Sequence, residues 1–515
     1  MSKFYEKVAY RDVEEDLKSQ KSVDKWIFRL LLVVIGFVPL IVMADVTEVQ
    51  SPLITNIETL SSGVKGDLFT QYKALVLLVI TLIASLLLLA KILFMNGEIR
   101  KTKLNSAVGA FAVAIVLSTI FSPNISIALH GQYSRSDGAI SWICYLVLFF
   151  IAMNIEYPKK VIQYIVYAIT PFVLINSIII TLNFYGKDLL QKAWAQKFFT
   201  LFLPEGASIS EGSTLLGTLN HGNYMSGMFA IVTVLFLSKS LIDQKIFDKI
   251  FSFIMAIIAV FIMFMSLSTS GFLTLVAMMI FLLWIAFKSE KKVFAFIQIV
   301  AFCAISLAGV HVLAGENSKV WDETFGFFIS SNPYKEETMT LNKSLFDFDN
   351  RAYAADNSFE LPEIAGTGVG AGSGRVYIWT YIMDLVKDRP ILGYGIDTLM
   401  YNFPHYNKDA RANLETEKVI VDKPHNMYIG VLYGTGIVGF IAFIVIIAFT
   451  LLNSLKVIIS GKDSLVVLAV AVLAFLFQAI FNDTLPGTAA PLFIILGVMH
   501  NRESKDLTFE DIDEV

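Results

Sequence analysis

The strongest constraint on this sequence is a series of apolar runs, each about as long as a lipid bilayer is thick. About 20 apolar residues in a helix cross the hydrocarbon core, and backbone groups in lipid must be satisfied within the protein. Only 16% of the 515 residues are charged, against about 25% in soluble proteins. Hydropathy predicts about twelve spans, at 26–44, 73–95, 105–121, 139–155, 161–182, 219–238, 250–268, 271–287, 293–313, 426–452, 464–481 and 485–500. The sequence therefore predicts an all-α polytopic membrane protein.

Lysine and arginine gather in alternate connections between these spans, and such connections face the cytoplasm. The basic residues are Lys18, Lys21, Lys25, Arg29, Arg100, Lys101, Lys103, Lys159, Lys160, Lys239, Lys245, Lys249, Lys288, Lys291, Lys292, Lys456, Lys462, Arg502 and Lys505. Both termini are therefore predicted to be cytoplasmic. We expect a cytoplasmic head over 1–25, spans one to nine over 26–313, spans ten to twelve over 426–500, and an acidic tail over 501–515. The first run is too long for a signal peptide, so it is predicted to stay as a span.

One long polar segment, 314–425, interrupts the spans and is predicted to lie outside the cytoplasm. Its arginine, histidine, aromatic and glycine residues do not have the composition of a disordered linker, and long connections are usually functional. Within it, 375–389 is predicted to be a helix on the membrane surface, with an apolar stripe at helical spacing. A second amphipathic outer segment is predicted near 183–218.

Three polar residues in the outer connections are candidates for chemistry. His425 lies where the polar loop meets a span, so it could act as a general base or be an interfacial histidine bonded to backbone. Arg375 follows a glycine and could bind phosphate oxygens in a bidentate fork, or reach lipid headgroups. Arg135 has the same two interpretations, and pairing with Asp137 is a third.

Other polar groups carry weaker signals. Asn220, His221 and Asn223 could bind sugar hydroxyls at the start of span six, although helix capping explains asparagines there more simply. Asp347 and Asp349 have the spacing of metal ligands, but loop aspartates are commonly solvated turn residues. We predict no metal site, no cofactor and no nucleic-acid partner. The cysteines, Cys144 and Cys303, are predicted to be small core residues and not a disulfide pair.

The motifs together resemble the O-antigen ligase/polymerase superfamily over about 110–450. They are Arg375-x-x-x-Trp379, Pro390-Ile-Leu-Gly-Tyr-Gly395, His425-Asn-x-Tyr428 and Gly434-Thr-Gly-Ile-Val-Gly439, with supporting segments at 131–138 and 217–223. The resemblance implies a membrane glycosyltransferase in the bacterial plasma membrane. Such an enzyme moves a glycan from undecaprenyl pyrophosphate to an acceptor hydroxyl on the extracytoplasmic face, without a metal.

The resemblance also implies roles for individual residues. His425 would be the catalytic base and Arg375 a pyrophosphate binder. The substrate-binding residues would be Asn220, Asn223, Asn426 and Tyr428.

The chain departs from the family pattern at one place. Many ligases have an arginine after the serine- and threonine-rich turn that opens span eight, whereas this chain has Ser-Thr-Ser-Gly at 268–271. Arg135 is predicted to substitute for it, with Arg351 as the second choice. Direct attack by the acceptor would invert the anomeric carbon.

Two questions stay open at the level of sequence. The acceptor could be a glycan, a lipid or a wall polymer, so the chain could be a polymerase or a ligase. Outside the enzyme class, it could be a multi-span transporter of a solute or lipid-linked glycan, or a non-catalytic subunit of an envelope assembly. Transporters tend to carry ionisable residues at mid-membrane, whereas the polar groups here gather at one face.

Overall fold

The computed structural model describes residues 13–55, 57–209, 213–219, 221–329, 331–335, 374–406, 420–460, 465–501 and 508–509. In the first half of the chain the helices are α1 Val13–Gly36, α2 Gln71–Phe94, α3 Lys103–Ile120, α4 Ile125–His130, α5 Ala139–Asn154, α6 Val161–Phe184, α7 Ala193–Phe199 and α8 Gly222–Ile242. In the second half they are α9 Ile246–Met265, α10 Thr269–Lys288, α11 Lys292–Glu316, α12 Lys319–Asp322, α13 Arg375–Asp388, α14 Leu399–Asn402, α15 Met427–Ser460, α16 Val466–Gln478 and α17 Pro486–Asn501.

Two small sheets accompany the helices. Strand β1, Asp45–Val49, pairs antiparallel with β2, Gly63–Asp67. Strand β3, Tyr157–Pro158, pairs parallel with β4, Thr508–Phe509.

A helix overlaps each of the twelve predicted spans. Eight helices of the described chain are long and apolar enough to cross a membrane: α2, α3, α6, α8, α9, α10, α11 and α15. Helices α5 and α16 are apolar but have only 16 and 13 residues. The all-α polytopic membrane fold is confirmed, whereas twelve crossings and two cytoplasmic termini stay predictions.

The boundaries of some elements differ from the prediction. Helix α1 starts at Val13 and ends at Gly36, well before the predicted 26–44. Buried Val23, Ile27 and Leu31 continue one face of this helix into the charged head, so the described part of the head, 13–25, and the start of the span form one helix. In the described part of the outer segment 183–218, beyond the end of α6 at Phe184, the α-helix is confined to Ala193–Phe199.

The most buried helices lie at the centre of the bundle. In the most apolar part of helix α8, 94% of the residues are buried, against 28% in α11. Helices α5, α16 and α17 are also buried on nearly all sides. A helix that is apolar all round is stable only when it is surrounded by protein or lipid. The outer helices keep exposed apolar faces, as lipid contact requires. Cys144 is buried as predicted, whereas Cys303 on α11 is exposed.

The bundle has two polar ends. At one end Lys91 of α2 forms a buried ion pair of 2.7 Å with Asp24 of α1. At the other end lie the first residues of α2, α5, α8, α10 and α15, together with His425, and we call this the site end.

Helix α15 is broken near the site end at Gly436, which has φ +63° and ψ −169°. The turn 390–395, after α13, fills the break. The backbone hydrogen bonds are Tyr394 N to Tyr433 O (3.0 Å), Gly395 N to Gly434 O (2.9 Å) and Ile437 N to Pro390 O (2.8 Å). Helix breaks at membrane depth need such partners, because lipid offers none. The turn thereby fixes the segment 396–403 that follows it.

Candidate active site

His425 is held at the start of α15 by contacts of its neighbour. The side-chain oxygen of Asn426 accepts a hydrogen bond from Ile429 N at 3.0 Å and so caps the helix. Asn426 N donates to Asp483 Oδ1 at 3.3 Å. His425 itself has φ +52°, a conformation that costs energy and is concentrated at functional sites.

Helix α13 brings Arg375 to the same place. Trp379 lies one turn after Arg375, and its Nε1 donates to Pro424 O at 2.7 Å. Residues four apart share a helix face, so Trp379 and Arg375 lie on the same face of α13. The contact with Pro424, the residue before His425, therefore anchors that face beside His425. Ile378 and Ile382 are buried against 399–403 and Tyr433. The apolar stripe of this helix therefore packs on protein, whereas the sequence predicted a membrane surface.

Three cations act on His425. Burial, and then the ammonium of Lys423, lowers the pKa of His425 to about 3; Asp422 opposes the shift, and Arg375 and Arg135 add to it. The imidazole is therefore neutral at physiological pH. Among the described residues we find no hydrogen bond to its ring.

Lys423 was not assigned a role from the sequence. Its side chain is only 15% exposed, and its Nζ lies 3.3 Å from Asp422 Oδ2 and 5.4 Å from the centre of the Tyr224 ring. Burial lowers the pKa of Lys423, but Tyr224, Asp422 and Asp483 outweigh burial, so the pKa is raised and the ammonium stays charged. The sequence signal was its position two residues before His425.

Arg135 is buried, and three of its N–H groups already have acceptors. Nε donates to Asp397 Oδ1 at 2.6 Å, Nη1 to Tyr224 OH at 3.1 Å, and Nη2 to Thr484 O at 3.3 Å. Its ion-pair partner is thus Asp397, and the predicted pairing alternative, Asp137, instead accepts from Tyr145 and Thr484. Arg135 is close enough to lower the pKa of His425, but it is largely committed to protein partners.

Asp483, between α16 and α17, was missed entirely from the sequence. Its Oδ1 accepts from Asn426 N, while its buried Oδ2 has no partner among the described residues. Burial raises the pKa of Asp483. The same carboxylate opposes the lowering of the Arg375 pKa that burial causes. A lone aspartate between two strongly apolar helices was the signal that could have found it.

The turn that opens α10 leaves no room for a further arginine. A Cβ on Gly271 would lie 2.3 Å from Ser226 Oγ. Thr269 N and Oγ1 both donate to Glu323 Oε2, at 2.8 and 2.5 Å. A carboxylate therefore occupies the N-terminus of α10, so a second cation of the site, if there is one, comes from another element.

Two further predicted site residues, Asn223 and Tyr428, have hydrogen-bond partners within the protein. Asn223 Oδ1 accepts from Ser268 Oγ at 2.6 Å, and Tyr428 OH donates to Leu476 O at 2.8 Å. Helix α8 is capped by His221, whose Nδ1 accepts from Asn223 N at 3.2 Å. Asn220 and Arg351 lie outside the described residues.

A small cavity lies among the charged groups of the site. It is lined in part by Arg135, Asp397, Asp422, Lys423, Asp483 and Thr484, and its volume is about 40 Å³. That is room for a few water molecules and not for a sugar ring.

Comparison with known proteins agrees with the motifs. Residues 254–444 match the model of the O-antigen ligase family, a region that contains the turn opening α10, Arg375, His425 and the break in α15. No curated protein matches the chain. The match over 254–444 supports the O-antigen ligase/polymerase superfamily that the motifs of this chain predicted.

Proposed function

We propose that this protein transfers a glycan from undecaprenyl pyrophosphate to an acceptor hydroxyl, with its site end on the extracytoplasmic face of the plasma membrane. The observation that carries the proposal is a neutral His425, at the start of a helix, close to the cations Arg375 and Lys423. A base beside preorganised cations is what glycosyl transfer to a hydroxyl requires. The family match supports the reaction class.

In the proposed reaction His425 takes the proton of the acceptor hydroxyl while the hydroxyl oxygen attacks the anomeric carbon. The bond from that carbon to the pyrophosphate oxygen breaks, and its electron pair leaves with the pyrophosphate. Cations aimed at the leaving oxygens stabilise the charge that develops there. A single displacement inverts the configuration of the anomeric carbon.

Arg375 and Lys423 are the proposed ligands of the pyrophosphate. Arginine suits a bidentate contact with phosphate, and lysine acts as a point charge. Arg135 was the substitute predicted from the sequence. Because three of its N–H groups are engaged, we assign it the positioning of Asp397 and Thr484 and give the second binding role to Lys423.

Donor binding would also activate the base. A histidine with a pKa near 3 is a weak base. The negative charge of bound pyrophosphate would offset Lys423 and Arg375, and so would raise the pKa of His425 toward its ordinary value. His425 would therefore become a stronger base only when the donor is bound.

The test is in vitro transfer, with the full chain in lipid nanodiscs and lipid-linked glycan extracted from the producing cells. We expect His425→Ala to abolish transfer while still binding the donor, and Arg375→Ala to weaken donor binding. Matched controls are His311→Ala on α11 and Lys387→Ala at the far end of α13, which should transfer like wild type. Full activity of His425→Ala would overturn the proposal.

A further inference from the structure

A groove of about 620 Å³ lies at the site end, next to the loop 131–138. Strand β1, the first turns of α2, helix α4 and the start of α5 form its walls. This volume is within the range of roughly 300–1,000 Å³ typical of ligand pockets. It is far larger than the cavity among the charged groups.

The lining of the groove combines polar and apolar groups, and its side chains that can carry a charge near neutral pH are those of Glu48 and His130. Hydroxyl and amide groups come from Thr47, Gln71, Ser126, Gln132, Tyr133 and Tyr401. Aliphatic Leu75, Leu78 and Ile140 complete the wall. Among the described residues that line it, none is a lysine or an arginine, so it offers nothing to hold a pyrophosphate. Neutral donors and acceptors beside apolar surface suit a sugar ring, which has hydroxyls around its edge and C–H groups on its faces.

Gln132 supplies a second, independent sign of a ligand. Its side chain is only 4% exposed, and its Oε1 is buried with no hydrogen-bond partner among the described residues. A buried acceptor without a donor is costly and uncommon. A sugar hydroxyl in the groove would satisfy it.

Gln132 also connects the groove to the candidate active site. Its backbone N–H donates to Asp397 Oδ2 at 2.8 Å, and Asp397 Oδ1 accepts from Arg135 Nε at 2.6 Å. Arg135 in turn lies within electrostatic reach of His425. A sugar held by Gln132 would therefore be connected, through the ion pair of Asp397 with Arg135, to the charged groups around His425.

We infer that this groove binds the acceptor through a neutral, hydroxyl-rich sugar, while the pyrophosphate of the donor binds at Arg375 and Lys423. The assignment to the acceptor rests on the proposed function. The groove as a neutral-glycan site rests on its own lining and on the Oε1 atom of Gln132, which has no partner among the described residues.

The experiment measures binding separately from transfer. The probe is the oligosaccharide released by mild acid from the lipid-linked glycan of the producing cells, titrated into the full chain in nanodiscs without donor. Gln132→Leu removes the unpartnered oxygen, and Leu75→Trp fills the groove from its partly exposed wall. The matched control is Gln298→Leu on α11, because Gln298 Oε1 is also buried without a partner and does not line the groove.

We expect the probe to bind wild type and His425→Ala equally, and to bind Gln132→Leu about tenfold more weakly, as expected for one hydrogen bond. Leu75→Trp should also weaken binding, and Gln298→Leu should not. Wild-type affinity in both groove variants, or an equal loss in Gln298→Leu, would overturn the inference. If the probe binds in this pattern but wild type shows no transfer, the glycan site stands and the proposed function fails. If wild type shows transfer but the groove variants bind the probe as wild type does, only the inference fails.

Discussion

The indole nitrogen of Trp379 donates a hydrogen bond to the carbonyl oxygen of Pro424 at 2.7 Å. This single contact joins the helix that begins with Arg375 to the segment that carries His425. The two groups belong to different elements, separated by the turn at 390–395 and a further stretch of chain. Their relative position therefore depends on this contact and on the packing of Ile378 and Ile382.

Trp379→Phe keeps the ring packing and removes the donor, so Arg375 should lose its alignment with His425. We expect turnover to fall about tenfold or more, because small misplacements of catalytic groups are expensive. The melting temperature should change little. Trp194→Phe, at an exposed indole on α7, is the control. Equal turnover in both variants would mean that Trp379 does not align the site.

The pH dependence of kcat/KM for the donor should lack an acid limb at the ordinary histidine pKa. This parameter reports groups of the free enzyme, and there the pKa of His425 is lowered to about 3. Since the base works unprotonated, activity would be lost only as the pH falls toward that value. Lys423→Gln removes a positive charge, so its acid limb should move to higher pH. A wild-type limb near pH 6.5, unmoved in Lys423→Gln, would contradict this.

Replacing Arg135, to which we assign a positioning role, and replacing Lys423, to which we assign pyrophosphate binding, should have different effects. Arg135→Ala leaves Asp397 buried without its partner, and breaking such a pair costs about 3–5 kcal/mol. We expect a large drop in melting temperature and in folded yield. Lys423→Ala should instead weaken donor binding and leave the fold nearly intact. Thermal unfolding and donor titration of both variants separate the roles, and the reverse pattern would exchange them.

Gly436→Ala should damage the junction between α15 and the turn 390–395. The φ of +63° disfavours a side chain, and a Cβ there would lie 2.4 Å from the carbonyl of Ile391. We expect a destabilisation of about 1–3 kcal/mol, seen as a lower melting temperature with loss of activity. Gly109→Ala on α3 meets nothing within 4 Å and should be neutral or stabilising. Similar behaviour of the two variants would rule out the junction as the cause.

Local patterns in the sequence predicted what depends on local forces. Hydropathy located the helices, and the apolar stripe with Pro390 predicted α13 to within a residue, at Arg375–Asp388. The boundary of α1 was misplaced, because packing against neighbouring helices extended it beyond its apolar run. Tertiary packing is invisible to a window of residues.

Most of the site depends on contacts between distant residues. Arg135 and Asp397 are 262 positions apart, and Asp483 meets Asn426 across 57. No local pattern around either aspartate identifies its partner. From the sequence, the candidate ion-pair partner of Arg135 was therefore Asp137, the nearest carboxylate in the chain. Lys423 was passed over for a similar reason. A lysine in a polar loop looks solvated until the fold buries it beside Tyr224.

The break in α15 has a consequence for how this protein can be altered. Backbone groups at the break in α15 form hydrogen bonds with the turn 390–395, which comes before this helix in the chain. Neither the helix nor the turn therefore has all its backbone hydrogen bonds without the other. The large polar loop therefore cannot be exchanged as a cassette between its flanking spans. A working chimaera would have to carry 390–395 and 434–439 from the same parent, and a graft that splits them would leave amide groups in lipid without acceptors.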